Sequence, residues 1–404
     1  MNILYVTPYV PSRIRTRPYH LIRALLDLGH RVTLVTAAGT SEEEERQADA
    51  LRAWGVEVDR FPVPRLRSLA NCVAALPSRE PFQAVFSYHP AMARRVRQLI
   101  REDAFHVVHI EHLRAARLVA AVDGGTPTVY DSVDCISLLF EQAVSRSASF
   151  RSRLMTLLDL GRTRRYEAQL LTRYDQVVIT SQRDQDALET LADRYLPPDA
   201  ARAPITIVTN GVDTAYFRPP EKGEQRAERT VIFTGKMSYH ANEAGALYFA
   251  RQVLPHIWAH DPRVRFQIVG KDPTEAIQRL AADERIEVTG TVADLRPYLV
   301  RATVAVCPVP YAVGVQFKVL EAMAAGTPVV CSPATFSGLD AQQDQDLLVA
   351  DAPDTFAARV LEVMSDRGLA ARLAAAGRRY VEQHHSWEAC ARRLASVYER
   401  ATEE

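Results

Sequence analysis

The sequence predicts an α/β protein made of two successive parallel-sheet lobes, and three observations predict it. The chain has 404 residues, more than one hydrophobic core usually supports, so two domains of roughly 200 residues each are expected. Short apolar runs alternate with amphipathic stretches through both halves, which is the grammar of βαβ units. Between the halves, residues 218–229 (RPPEKGEQRAER) are polar, aperiodic and carry paired prolines, so they read as an exposed hinge. Two Rossmann-like lobes facing each other follow from this. Ligands of such sheets bind at the carboxyl ends of the strands, which here point into an interdomain cleft.

In the first half, residues 3–7, 32–36, 56–61, 84–87, 107–110, 128–131, 177–180 and 205–209 are apolar runs of strand length. The segment PYHLIRALLDLGHRVTLVT shows the repeating unit most clearly, a helix closing at Gly29 and a strand opening at Val32. The loop before that helix carries Arg13, Arg15 and Arg17, no glycine, and then Tyr19 and His20. Three arginines at a helix start suit an anionic partner, or else form a solvated basic loop. Strand 107–110 runs into Glu111 and His112, and strand 128–131 into Asp131, Asp134 and Ser137. Polar groups at buried strand ends either orient a ligand or cap the following helix. Residues 146–173 hold seven arginines against Asp159 and Glu167, interleaved with Phe150, Leu154, Leu157 and Leu158. That pattern reads as a basic amphipathic helix, fit to lie on an anionic membrane or to pack on the first lobe with its charged face in water. Asn210-Gly211 is a turn pair after strand 205–209, with Asp213 or Thr214 placed to cap a short turn.

The second half repeats the pattern with strands at 230–234, 265–269, 286–289, 304–307 and 329–331 and a long helix over 242–258. Gly235 and Lys236 end its first strand, where a lysine either meets an anion or is an ordinary surface residue. The most informative stretch is YAVGVQFKVLEAMAAGTPVVC, residues 311–331. Gly314 and Val315 lie in a loop, Phe317, Leu320 and Ala324 form one helical stripe, Gly326 suits a left-handed helix end, and Pro328 stops the helix before a strand. Lys318 and Glu321 share a face near the helix start, where free N–H groups gather anions. Lys318 adds to such a site, and Glu321 is placed to accept hydrogen bonds from a hydroxyl pair. The bland alternative is a solvated pair worth ~0.2–0.5 kcal/mol.

Composition narrows the function. The formal net charge is zero, which argues against a dedicated nucleic-acid binder. Five cysteines are an odd number with no CxxC spacing, and Cys307 and Cys331 sit in apolar runs. Neither a disulfide framework nor a zinc site is expected, and a reducing cytoplasm fits. The apolar run after Met1 is too short for a signal peptide, and no run approaches a membrane span.

The string from Val319 to Val330 resembles the donor-site segment of the retaining glycosyltransferases of family 4, roughly LEAMA-x-G-x-PVV behind a Gly-containing loop. VTNGVDTAYFRP, residues 208–219, resembles that family's PNGVD-x-x-x-F-x-P segment, and SWEACARRLASVYE, residues 386–399, its terminal crossover helix. Arg17, Tyr19 and His20 resemble the R-x-Y-H of one branch. The resemblance covers nearly the whole chain, most strongly from 205 to 350. It implies a GT-B fold, with residues 1–214 and the crossover helix 385–404 as the acceptor-binding lobe and residues 215–384 as the donor-binding lobe.

The resemblance also implies roles. Glu321 would hold the ribose of a nucleotide-sugar in a donor site with Gly235, Gly314 and Val315. Lys236 would meet the diphosphate, with Lys318 standing in for a second basic residue where this chain has Asn242. His112 or Glu111 would stand near the reacting sugar, and Arg15, Arg17, Tyr19 and Asp131 would contact acceptor or phosphate. The family often has an acidic residue eight positions before Glu321, and this chain has Val313 there. The implied activity is retaining transfer of a hexose-type sugar, with UDP the expected carrier, to a glycan, lipid-linked or small-molecule acceptor, as in polysaccharide biosynthesis. Neither a metal nor a cofactor is expected, and the implied place is the cytoplasm or the inner face of the cell membrane. Two rivals stand beside it, a nucleotide-sugar epimerase with the same two lobes and a non-catalytic nucleotide-sugar binder. A dinucleotide oxidoreductase is set aside because no strand runs into GxGxxG.

Overall fold

The first sheet consists of β1 (Asn2–Thr7), β2 (Arg31–Ala38), β3 (Glu57–Pro62), β4 (Val107–Glu111), β5 (Thr128–Val133), β6 (Gln176–Ile179) and β7 (Ile205–Ile207). Its strands are all parallel and run in the order β3-β2-β1-β4-β5-β6-β7. The second consists of β8 (Thr230–Thr234), β9 (Arg265–Val269), β10 (Ile286–Gly290), β11 (Val304–Cys307), β12 (Val329–Cys331) and β13 (Leu348–Val349), again parallel, in the order β10-β9-β8-β11-β12-β13. β1, β4, β8 and β11 are buried over almost their whole length, which is why they read as continuous apolar runs. In both sheets the order reverses beside the first strand, between β1 and β4 and between β8 and β11. Each reversal opens a crevice at the carboxyl ends of those strands.

This computed structural model describes residues 1–403 except 40, 103, 123–124, 147–149, 220–227 and 311–314, with side chains described outside 142–158. Most of the expected hinge 218–229, and Gly314, therefore lie outside the described residues. The chain divides into two compact units, one of residues 1–210 and 390–404, the other of residues 211–389. The last helix, Trp387–Glu403, gives most of its length to the first unit. Leu394, Val397 and Tyr398 are buried, the Tyr398 hydroxyl lies 2.9 Å from His109 Nδ1, and Arg400 donates to Thr206 Oγ1 at 3.1 Å.

Three local expectations are corrected. The strand expected over 84–87 is instead the end of the helix Phe82–Phe86, with Ser87 just past it. A short apolar run has no period of its own to decide the matter. What decides it is Asp159, distant in sequence, whose carboxylate accepts the Phe82 N–H at 2.9 Å and caps the turn. The helix expected over 242–258 is His240–Tyr248, a π-helical turn over Phe249–Val253, and Leu254–His260. Pro255, lacking an N–H, takes one rung out of the regular ladder.

The basic stretch 146–173 is not one helix. Ile136–Arg146 ends within it and Phe150–Leu170 follows. In the second helix Asp159, Leu160, Thr163, Tyr166, Glu167 and Leu170 are buried. The described arginines are engaged inside the unit: Arg162 with the carbonyls of Ala75 and Leu76, Arg164 with Glu141, Arg165 over Tyr195 and Arg173 over Tyr166. Glu167 caps the preceding helix from a distance, accepting the N–H groups of Ile136 at 2.7 Å and Ser137 at 3.1 Å. Burial pushes its carboxyl up to about 7. Of the two readings open for Asp131 and Asp134, orienting a ligand or capping the helix that follows, the second is taken over by a buried glutamate on another helix, which supplies the cap.

Candidate functional site

In the second unit, β8, β9 and β10 end in Gly235, Gly270 and Gly290, all at positive φ. The first two are required by close approach. A Cβ on Gly270 would lie 1.8 Å from the Gly235 carbonyl oxygen, and one on Gly235 would lie 2.7 Å from Asn242 Nδ2. With no side chains there, the strand ends stand close and leave space above β8 and β11. Gly270→Ala is expected to force β8 and β9 apart. It should lower stability by at least about 1–3 kcal/mol, the usual cost of a strained backbone position alone. Thermal unfolding measures this, and an unchanged melting temperature would contradict it.

That space is a cavity of about 370 Å³ whose walls include Gly235, Lys236, Asn242, Val315, Lys318 and Glu321. Five sequence-singled residues, Gly235, Lys236, Val315, Lys318 and Glu321, thus meet at one place. Lys318 and Glu321 arrive on the helix Phe317–Ala324, which Gly326 closes at φ 67° while the Gly326 and Thr327 N–H groups return to Met323 and Ala322. The Lys318 ammonium donates to Asn242 Oδ1, and Asn242 Nδ2 donates to the Lys236 carbonyl at 2.9 Å. Lys318 also lies 5.3 Å from the centre of the Phe233 ring.

Burial holds the Lys318 ammonium below the usual lysine range. The same burial pushes Glu321 up to about 7, with Lys318 pulling partly the other way. Among the described residues no donor is hydrogen-bonded to the Glu321 carboxylate. Lys236 is exposed and only 3.7 Å from the equally exposed Asp272, an ion pair of little stabilising value. Asn242 is the residue that sequence reasoning passed over. It is noticed from the sequence only as a missing basic residue, whereas in the structure it fixes the position of Lys318.

The first unit carries a second cluster, at the β1/β4 reversal. Tyr5 and Tyr9 donate to the two oxygens of Glu111 at 2.8 and 3.0 Å. Arg17 is buried and donates through Nε to Asp131 Oδ2 at 2.8 Å, and through one terminal nitrogen to the Val208 carbonyl at 3.1 Å and Asn210 Oδ1 at 3.0 Å. The Tyr5 and His109 rings stack with centres 4.1 Å apart. Burial and the nearby Asp131 charge push Glu111 up to about 8, against the pull of Arg17. His109, Glu111 and Asp131 offer ligand atoms within 4.8 Å of one another, a spacing a metal ion can use. Tyr398, the two tyrosines and Arg17 already engage those groups, and the guanidinium occupies a cation's place beside Asp131.

His112, just after β4, and Val133, the last residue of β5, both have left-handed backbones, at φ 71° and 64°. That conformation strains a β-branched valine, and such strain gathers at functional sites. His112 Nδ1 accepts the Arg114 N–H at 3.1 Å, so the neutral ring carries its proton on Nε2. Burial, with Arg114 and Arg15 nearby, pushes His112 down to about 4, so it is neutral at physiological pH and can donate one hydrogen bond. The expected acceptor or phosphate contacts divide. Arg17 and Asp131 hold each other, where a ligand was expected. Tyr19 packs on Trp54 with ring centres 4.9 Å apart. Arg15 stays exposed, its guanidinium 4.6 Å from the centre of the Tyr9 ring.

Two family models match, lying end to end along most of the chain. One, described as a glycosyl transferase 4-like domain, matches residues 14–211, and the other, described as glycosyl transferases group 1, matches residues 228–366. The phosphatidyl-myo-inositol mannosyltransferase of Mycolicibacterium smegmatis is 26% identical over 99% of this chain and 94% of its own length. A glycosyltransferase structure from Rickettsia africae superimposes with a TM-score of 0.64 at 14% identity, covering 100% of this chain and 99% of that one. Anabaena HepE, solved in complex with UDP, gives 0.62 at 14% identity over 99% of this chain and 100% of that one. With the two parallel-sheet units and the match of both family models, the chain belongs to the GT-B glycosyltransferases of the group 1, family 4-like type.

Proposed function

We propose that this glycosyltransferase moves a hexose-type sugar from a nucleoside diphosphate carrier to an acceptor hydroxyl with retention of anomeric configuration. The second unit takes the donor and the first takes the acceptor. The observation that carries the reading is the Glu321 carboxylate, which lacks a hydrogen-bond donor among the described residues and lies beside a lysine tethered by Asn242. A half-buried carboxylate that faces a cavity and has no protein donor among the described residues is open to a ligand's hydroxyls, and a ribose supplies two. Lys318 and Lys236 then face the diphosphate. The mannosyltransferase named above supports a hexose, and the UDP complex of HepE supports UDP as the carrier.

As the glycosidic bond breaks, negative charge grows on the departing diphosphate, and pre-placed cations stabilise that charge most effectively. Lys318 is held in place before the donor arrives, and Lys236, exposed and only loosely paired with Asp272, can close on it. In the first unit, His112 offers an Nε2–H donor to a sugar hydroxyl. Glu111, with both oxygens engaged by tyrosines, acts by holding Tyr9 and the strand end. The acceptor attacks from the face the diphosphate leaves. The two lysines supply the positive charge this requires, so activity is expected to survive chelation with EDTA.

Calorimetry with UDP and GDP, followed by anomeric analysis of the product by NMR, tests the reading. Lys236→Ala should lower turnover roughly ten- to a hundredfold while changing nucleotide affinity much less, because its work is done as charge develops. Near-normal turnover in a folded Lys236→Ala protein would remove that role. A product formed from the donor alone, with no acceptor present, would favour an epimerase.

A further inference from the structure

The helix Arg65–Ala74 is built inside out. Its inner side is polar or small: Ser68 is buried, and Asn71 donates to the carbonyls of Val85 at 3.0 Å and Tyr88 at 2.9 Å. Its outer side carries Leu66, Leu69 and Val73, with Leu76 one turn further, and these are 79%, 60%, 65% and 56% exposed. The spacing i, i+3, i+7, i+10 is that of a core stripe, but here it faces water. Single exposed leucines are common on proteins, but a continuous stripe of this kind marks a surface that meets something.

The charges around the stripe select what it meets. Arg65, Arg67 and Arg79 are exposed, and no acidic residue occurs between Val63 and Arg79. Arg94, on the helix Pro90–Glu102, lies near the same edge, since it and Arg67 both act on His89. A second copy of the chain would bring the same arginines against each other. An anionic lipid surface complements both features, taking the aliphatic side chains at the acyl boundary and the guanidinium groups among the phosphates.

We propose that the face of Leu66, Leu69, Val73 and Leu76, with its arginine fringe, docks the first unit on an anionic membrane. Pro64 and Pro77 bracket the segment and limit how far it can rearrange there. The site differs from the basic stretch 146–173, whose described arginines are engaged within the protein.

Flotation with vesicles of phosphatidylcholine alone, and with roughly a third phosphatidylglycerol added, tests the proposal. The full chain should bind the mixed vesicles, bind the neutral ones weakly, and detach as salt rises. Leu69→Ser with Val73→Ser should cut binding at least about tenfold, since two aliphatic side chains no longer enter the boundary. Thermal unfolding of that variant should match the parent, because the replaced side chains face water. Arg65→Glu with Arg67→Glu should lose binding to the mixed vesicles. Undiminished binding of the Leu69→Ser/Val73→Ser protein, or no binding by the parent, would overturn the proposal. So would a concentration-dependent dimer that this variant returns to monomer, since the stripe would then belong to a second copy.

Discussion

Arg17→Ala is expected to cost about 3–5 kcal/mol of stability, the penalty for removing one partner of a buried ion pair. Asp131 is fully buried and its charge is balanced by this guanidinium, at 2.8 Å from two of its nitrogens. The same group satisfies the carbonyl of Val208 and the side chain of Asn210, so the helix Thr16–Asp27, the end of β5 and the segment after β7 are tied through one residue. Arg17→Lys should recover little, because an ammonium cannot reproduce a planar fork serving several acceptors at once. Urea unfolding of the parent, Arg17→Ala, Asp131→Asn and the double variant measures the coupling. If the two single losses simply added, the clamp would have no energetic content.

Glu321→Ala is expected to weaken nucleoside diphosphate binding roughly ten- to more than a hundredfold, the loss of charge-assisted hydrogen bonds of ~1.5–3 kcal/mol. Nucleotide and nucleotide-sugar should suffer alike, because both carry the ribose. A pH effect accompanies it. The unliganded carboxyl is pushed up to about 7 by burial, and only the ionised form accepts from two hydroxyls. Affinity should therefore rise as pH passes upward through about 7, and Glu321→Gln should lose that dependence.

The stability effect has the opposite sign. The folded value lies above the ordinary carboxylate range, so the folded protein holds this proton more tightly than the unfolded chain does. The group's stabilising contribution is complete below that ordinary range and is lost as pH rises through about 7. Glu321→Gln should then melt above the parent on the alkaline side and close to it in acid. Calorimetric affinities across neutrality check the first expectation and thermal scans the second. Unchanged affinity in folded Glu321→Ala would end the ribose assignment.

Much of the fold could be read from the chain because its strands are short, apolar and bounded by turn residues. Gly29, Gly235 and Gly326 stand where φ is positive, and each marks an element end. The segment 84–87 misled because four residues have too little pattern to distinguish a strand from a helical turn. The helix over 242–258 was legible as a helix, and only the structure shows the π-turn over Phe249–Val253 that interrupts it before Pro255.

The candidate site was partly legible for a similar reason. Gly235, Lys236, Lys318 and Glu321 lie within two short segments whose local structure sets their direction. The sequence by itself determined two parallel-sheet lobes with a division expected near residue 215, and these rest on patterns of period, turn chemistry and strand ends, which neighbouring residues dictate. Its resemblance to the family is what pointed to those four residues as one donor site. Only the tertiary structure decided that Asn242 positions Lys318, that Arg17 and Asp131 hold each other, that Glu167 caps a helix distant from it in sequence, and that the helix Arg65–Ala74 turns its leucines outward. Each of these depends on what is packed around a residue. Burial and the nearest partner set a side chain's charge and role, and neither is a property of the local sequence.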